Sequence, residues 1–301
     1  MSSFVITGAT GSVGNAIVKE LLAGGHEVRI LSTRPHYKRE GCAVFHWNPA
    51  KGEMDLAALE GVEYLIHLAG ATVSKRWTPE YKQEINRSRV EGTQLLIDSL
   101  DQVSEGPKMC VSASAIGIYG SVPDQLLYED APKADDFLAT VTQEWERYTQ
   151  KFETPHRRSV QLRIGIVLDR GAGVLGQLEP LAKWGLASPL GSGKQWTSWI
   201  HVEDLARLFV HACLHQWPSG VHNAVAPNPV TNRAFTKALC ATLGRPMWLP
   251  AVPAAVLKAV LGQMATLALM SQKVAARDLE KQGFSFRYTK VEDALAALYK
   301  R

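Results

Sequence analysis

Three glycines near the start of the chain have a spacing that suits phosphate binding. Gly8, Gly11 and Gly14 follow an apolar, β-branched run that ends at Thr7, and an apolar pattern with helical spacing begins at Ile17. A strand, a glycine-rich turn and a helix place backbone N–H groups and the positive end of the helix against a pyrophosphate. We therefore predict a dinucleotide site here, with an ordinary strand-to-helix turn as the alternative. The predicted contacts are Gly8, Thr10, Gly11, Ser12, Val13 and Gly14.

The residues that follow the second predicted strand, residues 26–32, indicate which dinucleotide is preferred. An acidic side chain at this place hydrogen-bonds the adenosine ribose of NAD, whereas an arginine accommodates the 2′-phosphate of NADP. The sequence has Thr33 and Arg34 there, and no Asp or Glu. Arg34 can donate paired, charge-assisted hydrogen bonds to a phosphate. We predict that Thr33 and Arg34 bind the cofactor and that it is NADP(H); the alternative for Arg34 is a solvated loop residue.

Two further strand ends should lie at the same edge of the sheet as the glycines. The fourth predicted strand, residues 62–68, ends in small residues that let the chain pass close to a cofactor. We therefore add Leu68, Ala69 and Gly70 to the predicted cofactor contacts. The fifth predicted strand ends at Ser114, beside the expected position of the nicotinamide. Ser114 is a candidate catalytic residue, and the alternative is a small residue that only ends a strand.

Four segments together carry a family resemblance. They are S-K-R-W-T-P-E from Ser74, S-R-V-E-G-T from Ser88, L-R-I-G-I-V-L from Leu162 and G-S-G-K-Q-W-T-S-W-I-H-V-E-D-L from Gly191. In these segments the chain resembles the epimerase-like, atypical extended short-chain dehydrogenase/reductases, which are often labelled nucleoside-diphosphate-sugar epimerases. The resemblance covers nearly the whole chain and implies a Rossmann fold with a bound dinucleotide.

The resemblance also implies roles at the reacting end of the cofactor. Ser114 would orient the reacting oxygen, and Tyr119, in a following Y-G pair, would assist it. The superfamily's usual proton relay is Tyr-x-x-x-Lys, but Phe137 and Val141 stand at those positions, and neither can transfer a proton. Thr197 stands where sugar-nucleotide epimerases carry an arginine that grips the diphosphate. The reaction therefore does not follow from the resemblance.

Two functional hypotheses remain open. The first is an NADP(H)-dependent oxidoreductase or epimerase-like enzyme that acts on a small molecule, with the proton supplied by bound water or by the substrate. The second is a non-catalytic NADP(H)-binding protein that reports the state of the cofactor to a partner. Cofactor turnover across a panel of substrates would distinguish them.

Alternating strand and helix patterns predict an α/β fold, a Rossmann-type doubly wound parallel sheet. The predicted dinucleotide-binding domain is residues 1–168, which also receives about residues 196–225. A smaller, mostly helical substrate-facing lobe would contain residues 169–195 and 226–301. Within the first domain, the near-continuous apolar run 160–168 predicts one central strand.

Composition and charge argue against several other classes of protein. The 301 residues are 46% hydrophobic and carry a net charge of only +4, which favours neither nucleic acid nor an anionic membrane as a partner. Four cysteines without a C-x-x-C spacing indicate reduced thiols in a cytoplasmic protein, and the immediate start of a strand predicts no signal peptide. His211 and His215 are four residues apart, but we predict no metal site there. The expected state is a monomer or a homodimer.

Overall fold

Parallel strands joined by helices build the centre of the protein. The computed structural model describes residues 1–277 and 279–299. The strands are β1 (Ser3–Thr7), β2 (Glu27–Ser32), β3 (Cys42–Asn48), β4 (Glu53–Met54), β5 (Tyr64–His67), β6 (Met109–Ala115), β7 (Leu126–Leu127), β8 (Arg158–Ile164), β9 (Ile166–Leu168), β10 (Trp196–Thr197), β11 (Trp199–His201), β12 (Gly220–Ala224), β13 (Val230–Thr231) and β14 (Lys273–Val274).

Helices follow most of these strands. The α-helices are α1 (Ser12–Ala23), α2 (Pro79–Leu100), α3 (Phe137–Gln150), α4 (Gly173–Lys183), α5 (Val202–Leu214), α6 (Asn232–Thr242), α7 (Ala254–Leu261), α8 (Ala265–Leu269) and α9 (Val291–Tyr299). Short 3₁₀ helices span Pro49–Lys51, Leu56–Ala58, Ile116–Tyr119 and Gly262–Met264. Within the described ranges, no helix is both long enough and apolar enough to cross a membrane.

The central sheet has the strand order β12-β8-β6-β5-β1-β2-β3-β4. Its neighbours are parallel, except that β4 runs antiparallel to β3. The strands β2, β3 and β4 follow one another on one side of β1, and β5, β6, β8 and β12 follow one another on the other side. The direction in which successive strands are added therefore reverses between β1 and β5. In open α/β sheets a crevice forms at the carboxyl ends of the strands at such a point. The predicted Rossmann-type α/β fold is confirmed.

Apolar side chains on both faces of the sheet hold the helices in place. Neighbouring residues of a strand point to opposite faces, so Val5 and Ile6 of β1 mark the two faces. Ile6 is buried with Ile17 of α1 and Phe209 of α5, whereas Val5 is buried with Leu96 of α2. The helix α3 packs against α2. The face beneath α2 and α3 carries the candidate reacting residues described below.

The predicted single strand over residues 160–168 is wrong, because the chain changes partners at Gly165. The backbone N–H of Gly165 donates to the carbonyl of Ala224 at 3.2 Å, but the N–H of Ile166 donates to that of Ser198 at 2.8 Å. The strand β8 therefore stays in the central sheet, and β9 pairs with β11 outside it. A Cβ on Gly165 would lie 2.7 Å from the Ser198 carbonyl oxygen, so glycine permits this close crossing.

A second, smaller core lies beyond β9. It buries Leu175 of α4, Trp199 of β11, Phe235 and Leu239 of α6, and Leu295 of α9. Short two-stranded sheets, β9 with β11 and β10 with β13, lie outside the central sheet. The assignment of residues 169–195 and 226–301 to a separate substrate-facing lobe stays a prediction.

Candidate functional site

The turn between β1 and α1 needs glycine at two positions. Gly8 has a φ of +71°, in the left-handed region that favours glycine. A Cβ on Gly14 would lie 2.3 Å from the carbonyl oxygen of Gly8. The helix can approach the turn this closely only because Gly14 has no side chain. The glycine spacing in the sequence therefore corresponds to a tight turn with the helix packed directly against it.

The first turn of α1 can receive an anion. Gly11 is its N-cap, and in the described part of the chain no side chain caps it and no acidic residue lies in its first turn. The first backbone N–H groups of a helix have no intrahelical acceptors, so they are available to a phosphate. A Cβ on Gly11 would have only the Gly8 carbonyl oxygen within 4 Å, at 3.4 Å. The carboxylate of Asp169 disfavours an anion here, because it lies close enough to the first turn of α1 to accept a hydrogen bond from the Ser12 hydroxyl.

A cavity of about 300 Å³ lies beside this turn, at the carboxyl ends of β1, β2 and β5. The predicted cofactor residues in its wall are Gly8, Thr10, Thr33, Arg34, Ala69 and Gly70. The predicted residues outside its wall are Gly11, Ser12, Val13, Gly14 and Leu68. The lining also includes Trp47 and Asn48 from the end of β3, and Glu84, Arg87 and Glu91 from α2. The structure thus brings the ends of three strands predicted to bind cofactor around one space.

Two arginines near this cavity were missed in the sequence. Arg87 lines it and pairs with Glu84 at 2.6 Å and with Glu91 at 3.8 Å. Arg39 holds the first turn of α1, because its Nη1 donates to the side-chain oxygen of Asn15 at 2.6 Å and its Nη2 to the Asn15 carbonyl at 3.2 Å. In the sequence, Arg87 cannot be told apart from an arginine that only forms ion pairs on a helix surface. Arg39 belongs to no motif.

A buried chain of hydrogen bonds fixes the loop after β5. The Thr7 hydroxyl oxygen accepts from the backbone N–H groups of Leu68 and Ala69, each at 3.1 Å, so its own proton goes to Nδ1 of His67 at 2.7 Å. Nε2 of His67 then donates to the Thr93 hydroxyl at 3.1 Å. Burial, together with the charge of a nearby arginine, lowers the pKa of His67 to about 4. Neutral His67 therefore positions the loop that borders the cavity.

Ser114 and Tyr119, the candidate catalytic residues, both lie in a buried polar network. The Ser114 hydroxyl donates to a carboxylate oxygen of Glu146 at 2.7 Å. The Tyr119 hydroxyl donates to Asn223 at 2.7 Å and accepts from Nη1 of Arg163 at 2.8 Å. Burial raises the pKa of Tyr119, against the opposing effect of the Arg163 charge. The sequence placed Ser114 at the end of a strand but gave no sign of Glu146 or Arg163.

Phe137 and Val141 begin α3, whose N-terminus is capped by Asp136. The Asp136 carboxylate accepts from the N–H groups of the second and third helical residues, at 2.9 and 3.0 Å. The Phe137 ring contacts Trp77 edge to face, with centroids 5.2 Å apart, and Nζ of Lys82 lies 4.6 Å from the Phe137 ring centroid. Val141 is buried. Neither side chain has a proton to transfer.

Packing contacts are observed for Thr197, His211 and His215, which the sequence analysis also discussed, and for Trp199 beside Thr197. Thr197 is buried, and Trp199 is fully buried with its indole N–H donating to the carbonyl of Asn228 at 3.0 Å. The rings of His211 and His215 stack with centroids 3.7 Å apart. The described residues contain no group of three or more His, Cys, Asp or Glu side chains placed to hold a metal ion.

Comparison with known proteins agrees with this geometry. Residues 4–143 match the NAD dependent epimerase/dehydratase family, and residues 252–298 match a domain of unknown function. An Arabidopsis thaliana protein, "Epimerase family protein SDR39U1 homolog, chloroplastic", is 38% identical over 97% of this chain and 85% of its own. The chain belongs to the SDR39U1-type epimerase family.

Other members of the family match over the same length. A Staphylococcus aureus epimerase family protein is 35% identical over 99% of both chains. The crystal structure of human SDR39U1 with NADPH has a TM-score of 0.88, with 32% identity over 98% of both chains. The resemblance to epimerase-like short-chain dehydrogenase/reductases is therefore confirmed, and it extends over both the central sheet and the C-terminal region.

Proposed function

We propose that this family member binds NADP(H) and uses it as an oxidoreductase or epimerase-like enzyme on a small molecule. The observation that carries the proposal is the cavity beside the open first turn of α1, with Arg34 in its wall. Among the described residues, the Arg34 guanidinium is in no hydrogen bond and no ion pair, so it is available to a phosphate. The NADPH bound to the human relative supports the same assignment.

Three parts of the site fit this cofactor. Backbone N–H groups of the first turn of α1 would hold the pyrophosphate, in the space that a side chain on Gly11 would occupy. Thr33 and Arg34 would hold the 2′-phosphate, because a guanidinium forms paired hydrogen bonds with phosphate. Ala69 and Gly70 would border the adenosine, since their small size keeps the cavity open.

At the other end of the site, this chain supplies a hydroxyl and an apolar ring. NADP(H) supplies or accepts a hydride when bound. Ser114 would contact the reacting oxygen of the substrate, and Phe137 would exclude water from the nicotinamide face. Tyr119 stays a candidate catalytic residue, and among the described residues its hydroxyl is linked to Ser114 through Arg163 and Glu146.

The proposed partner is a small molecule rather than a nucleic acid, and the proposed state is a monomer or homodimer in the cytoplasm. The net charge of +4 on 301 residues supports the first part, because nucleic-acid-binding surfaces are usually strongly basic.

A second candidate function is NADP(H) binding without catalysis. It is favoured by the pair Phe137 and Val141, which the family resemblance places at the positions of the superfamily's proton-transferring side chains. Such a protein would change partner or conformation with the reduction state of its cofactor and would turn nothing over.

One experiment tests both candidates. Calorimetric titration should give tighter binding of NADPH than of NADH, and equal affinities would reject the proposed cofactor. NADPH oxidation and NADP⁺ reduction are then followed with a panel of small carbonyls and alcohols between pH 6 and 10. Turnover that disappears in Ser114→Ala supports the enzyme, and NADPH binding without turnover across the panel supports the second candidate.

A further inference from the structure

Ser114 lies beside a buried ion pair on the face of the sheet that α2 and α3 cover. Its hydroxyl donates to Oε1 of Glu146, on α3, at 2.7 Å. Arg163, on β8, grips the same carboxylate with two parallel hydrogen bonds, Nε to Oε1 at 2.7 Å and Nη2 to Oε2 at 2.9 Å. Only 6% of Glu146 and 2% of Arg163 are exposed. The three side chains come from three different elements and form one fixed unit.

The remaining contacts of Arg163 lock the orientation of this unit. Its Nη1 donates to the Tyr119 hydroxyl and to the carbonyl of Glu129, both at 2.8 Å. Burial disfavours the charge of Arg163, but the hydrogen bonds and the charge of Glu146 outweigh burial, and the pKa of Arg163 is raised. The guanidinium therefore stays positive and holds the Glu146 side chain in place with its two parallel hydrogen bonds.

A polar crevice supports the charged form of the pair. It has a volume of about 650 Å³, and its lining includes Gln143, Glu146, Gln161 and Arg163. A buried ion pair is tolerated where further polar groups satisfy its remaining hydrogen-bonding positions, and side-chain amides line this crevice. The pair is thus buried in protein but not in an apolar environment.

The consequence concerns the single proton of Ser114. A serine hydroxyl has one O–H to donate, and an ionised carboxylate has no proton to give back. Because Glu146 takes that proton, Ser114 can present only lone pairs to a neighbouring group. We infer that Ser114 is solely an acceptor toward the substrate, and that the group it receives is an O–H donor, an alcohol rather than a carbonyl.

This inference rests on the proposed function, which places Ser114 at the reacting end of the cofactor. It makes Glu146 and Arg163 positioning residues, since they act on the substrate only through Ser114. It also names the class of substrate, a small molecule that offers a hydroxyl at the reacting carbon.

The test compares two ligands of the same carbon skeleton, cyclohexanol and cyclohexanone. Their dissociation constants are measured by NMR titration of the protein saturated with NADP⁺. The double variant Glu146→Met with Arg163→Met removes both charges together, which avoids leaving either ion unpaired. Ser114 can then donate to a carbonyl. The preference for the alcohol is the ratio of the two dissociation constants, and it should fall about tenfold from the natural protein to the double variant. The reason is that the carbonyl of cyclohexanone then faces a Ser114 hydroxyl that can donate, rather than an oxygen that can only accept.

Glu144→Gln is the matched control, because Glu144 lines the same crevice without a hydrogen bond to Ser114. It should keep the alcohol preference of the natural protein. An equal preference in the natural protein and the double variant, or tighter binding of cyclohexanone by the natural protein, would overturn the inference. NADPH titration of the same proteins without NADP⁺ separates the two proposals. No NADPH binding by the natural protein rejects the proposed function, whereas NADPH binding without the alcohol preference rejects only this inference.

Discussion

The two ends of the proposed cofactor site are built in different ways. At the adenosine end, backbone groups and glycines set the geometry, and Arg34 is the one predicted contact that carries a charge. At the other end, the side chains of Ser114, Glu146 and Arg163 hold one another across β6, α3 and β8. The first end follows from a short stretch of sequence, whereas the second depends on contacts between distant segments. A family motif can therefore identify the cofactor end while leaving the reaction open.

The largest expected effect is the difference between valine substitutions at two glycines of the same turn. Gly14→Val should destabilise the fold by more than about 3 kcal/mol, because the new Cβ would lie 2.3 Å from the Gly8 carbonyl oxygen. Gly11→Val should fold normally but lose measurable NADPH binding, because its side chain would fill the space proposed for the pyrophosphate. Thermal unfolding and NADPH titration of both variants check this. Normal NADPH binding by Gly11→Val would show that the phosphate site lies elsewhere.

Breaking the ion pair tests the other end of the site. Arg163→Met should lower the free energy of unfolding by about 3–5 kcal/mol, because it leaves Glu146 buried and unpaired. Adding Glu146→Met should recover most of that loss, since the two apolar side chains can pack together. Urea unfolding of the single and double variants measures the difference. A single variant as stable as the natural protein would show that the pair is not held as described.

The buried histidine His67, which positions the loop after β5, predicts that the stability of the fold depends on pH. The pKa of His67 is lowered to about 4 in the folded protein, below its ordinary value of 6.5, so the unfolded chain binds the proton more readily. Its contribution to stability is therefore complete above pH 6.5 and is lost as the pH falls toward 4, by about 3 kcal/mol in total. Urea unfolding between pH 7 and 4 should show this loss in the natural protein relative to His67→Gln. Parallel pH profiles for the two proteins would contradict the assignment.

The smallest effect concerns the choice of cofactor. Arg34→Ala should weaken NADPH binding by about 10- to 100-fold, the usual cost of a lost charged hydrogen bond, and should leave NADH binding unchanged. Lys38→Ala is the matched control, because Lys38 is an exposed cation of the same loop that does not line the cavity. Fluorescence titration of both cofactors measures the affinities. An equal loss for NADH would show that Arg34 acts through the fold rather than on a 2′-phosphate.

Local sequence signals account for the elements that they control directly. Thr78 caps α2, where its hydroxyl accepts from the N–H of Tyr81 at 3.2 Å, and Pro79 occupies the first helical position, as their types indicate. The glycine turn is also local, since Gly8 and Gly14 contact each other. Propensity and spacing suffice for such features.

The features that the sequence did not reveal depend on distant partners. The strand β8 ends before Gly165 because Ser198, between β10 and β11, approaches this glycine, and an apolar run around Gly165 carries no record of that contact. Glu146 resembles any helical glutamate, and Arg163 any charged residue in a strand, until the fold brings them together. That the Ser114 hydroxyl donates its proton to the Glu146 carboxylate is visible only in the folded site.

The central claim is that one NADP(H) molecule connects the two ends of the site, and a crystal structure of the NADPH complex tests it most directly. We expect the pyrophosphate at the first turn of α1, the 2′-phosphate beside Arg34, and the nicotinamide in contact with the Ser114 region. A cofactor bound with its 2′-phosphate away from Arg34, or with its nicotinamide remote from Ser114, would contradict the account.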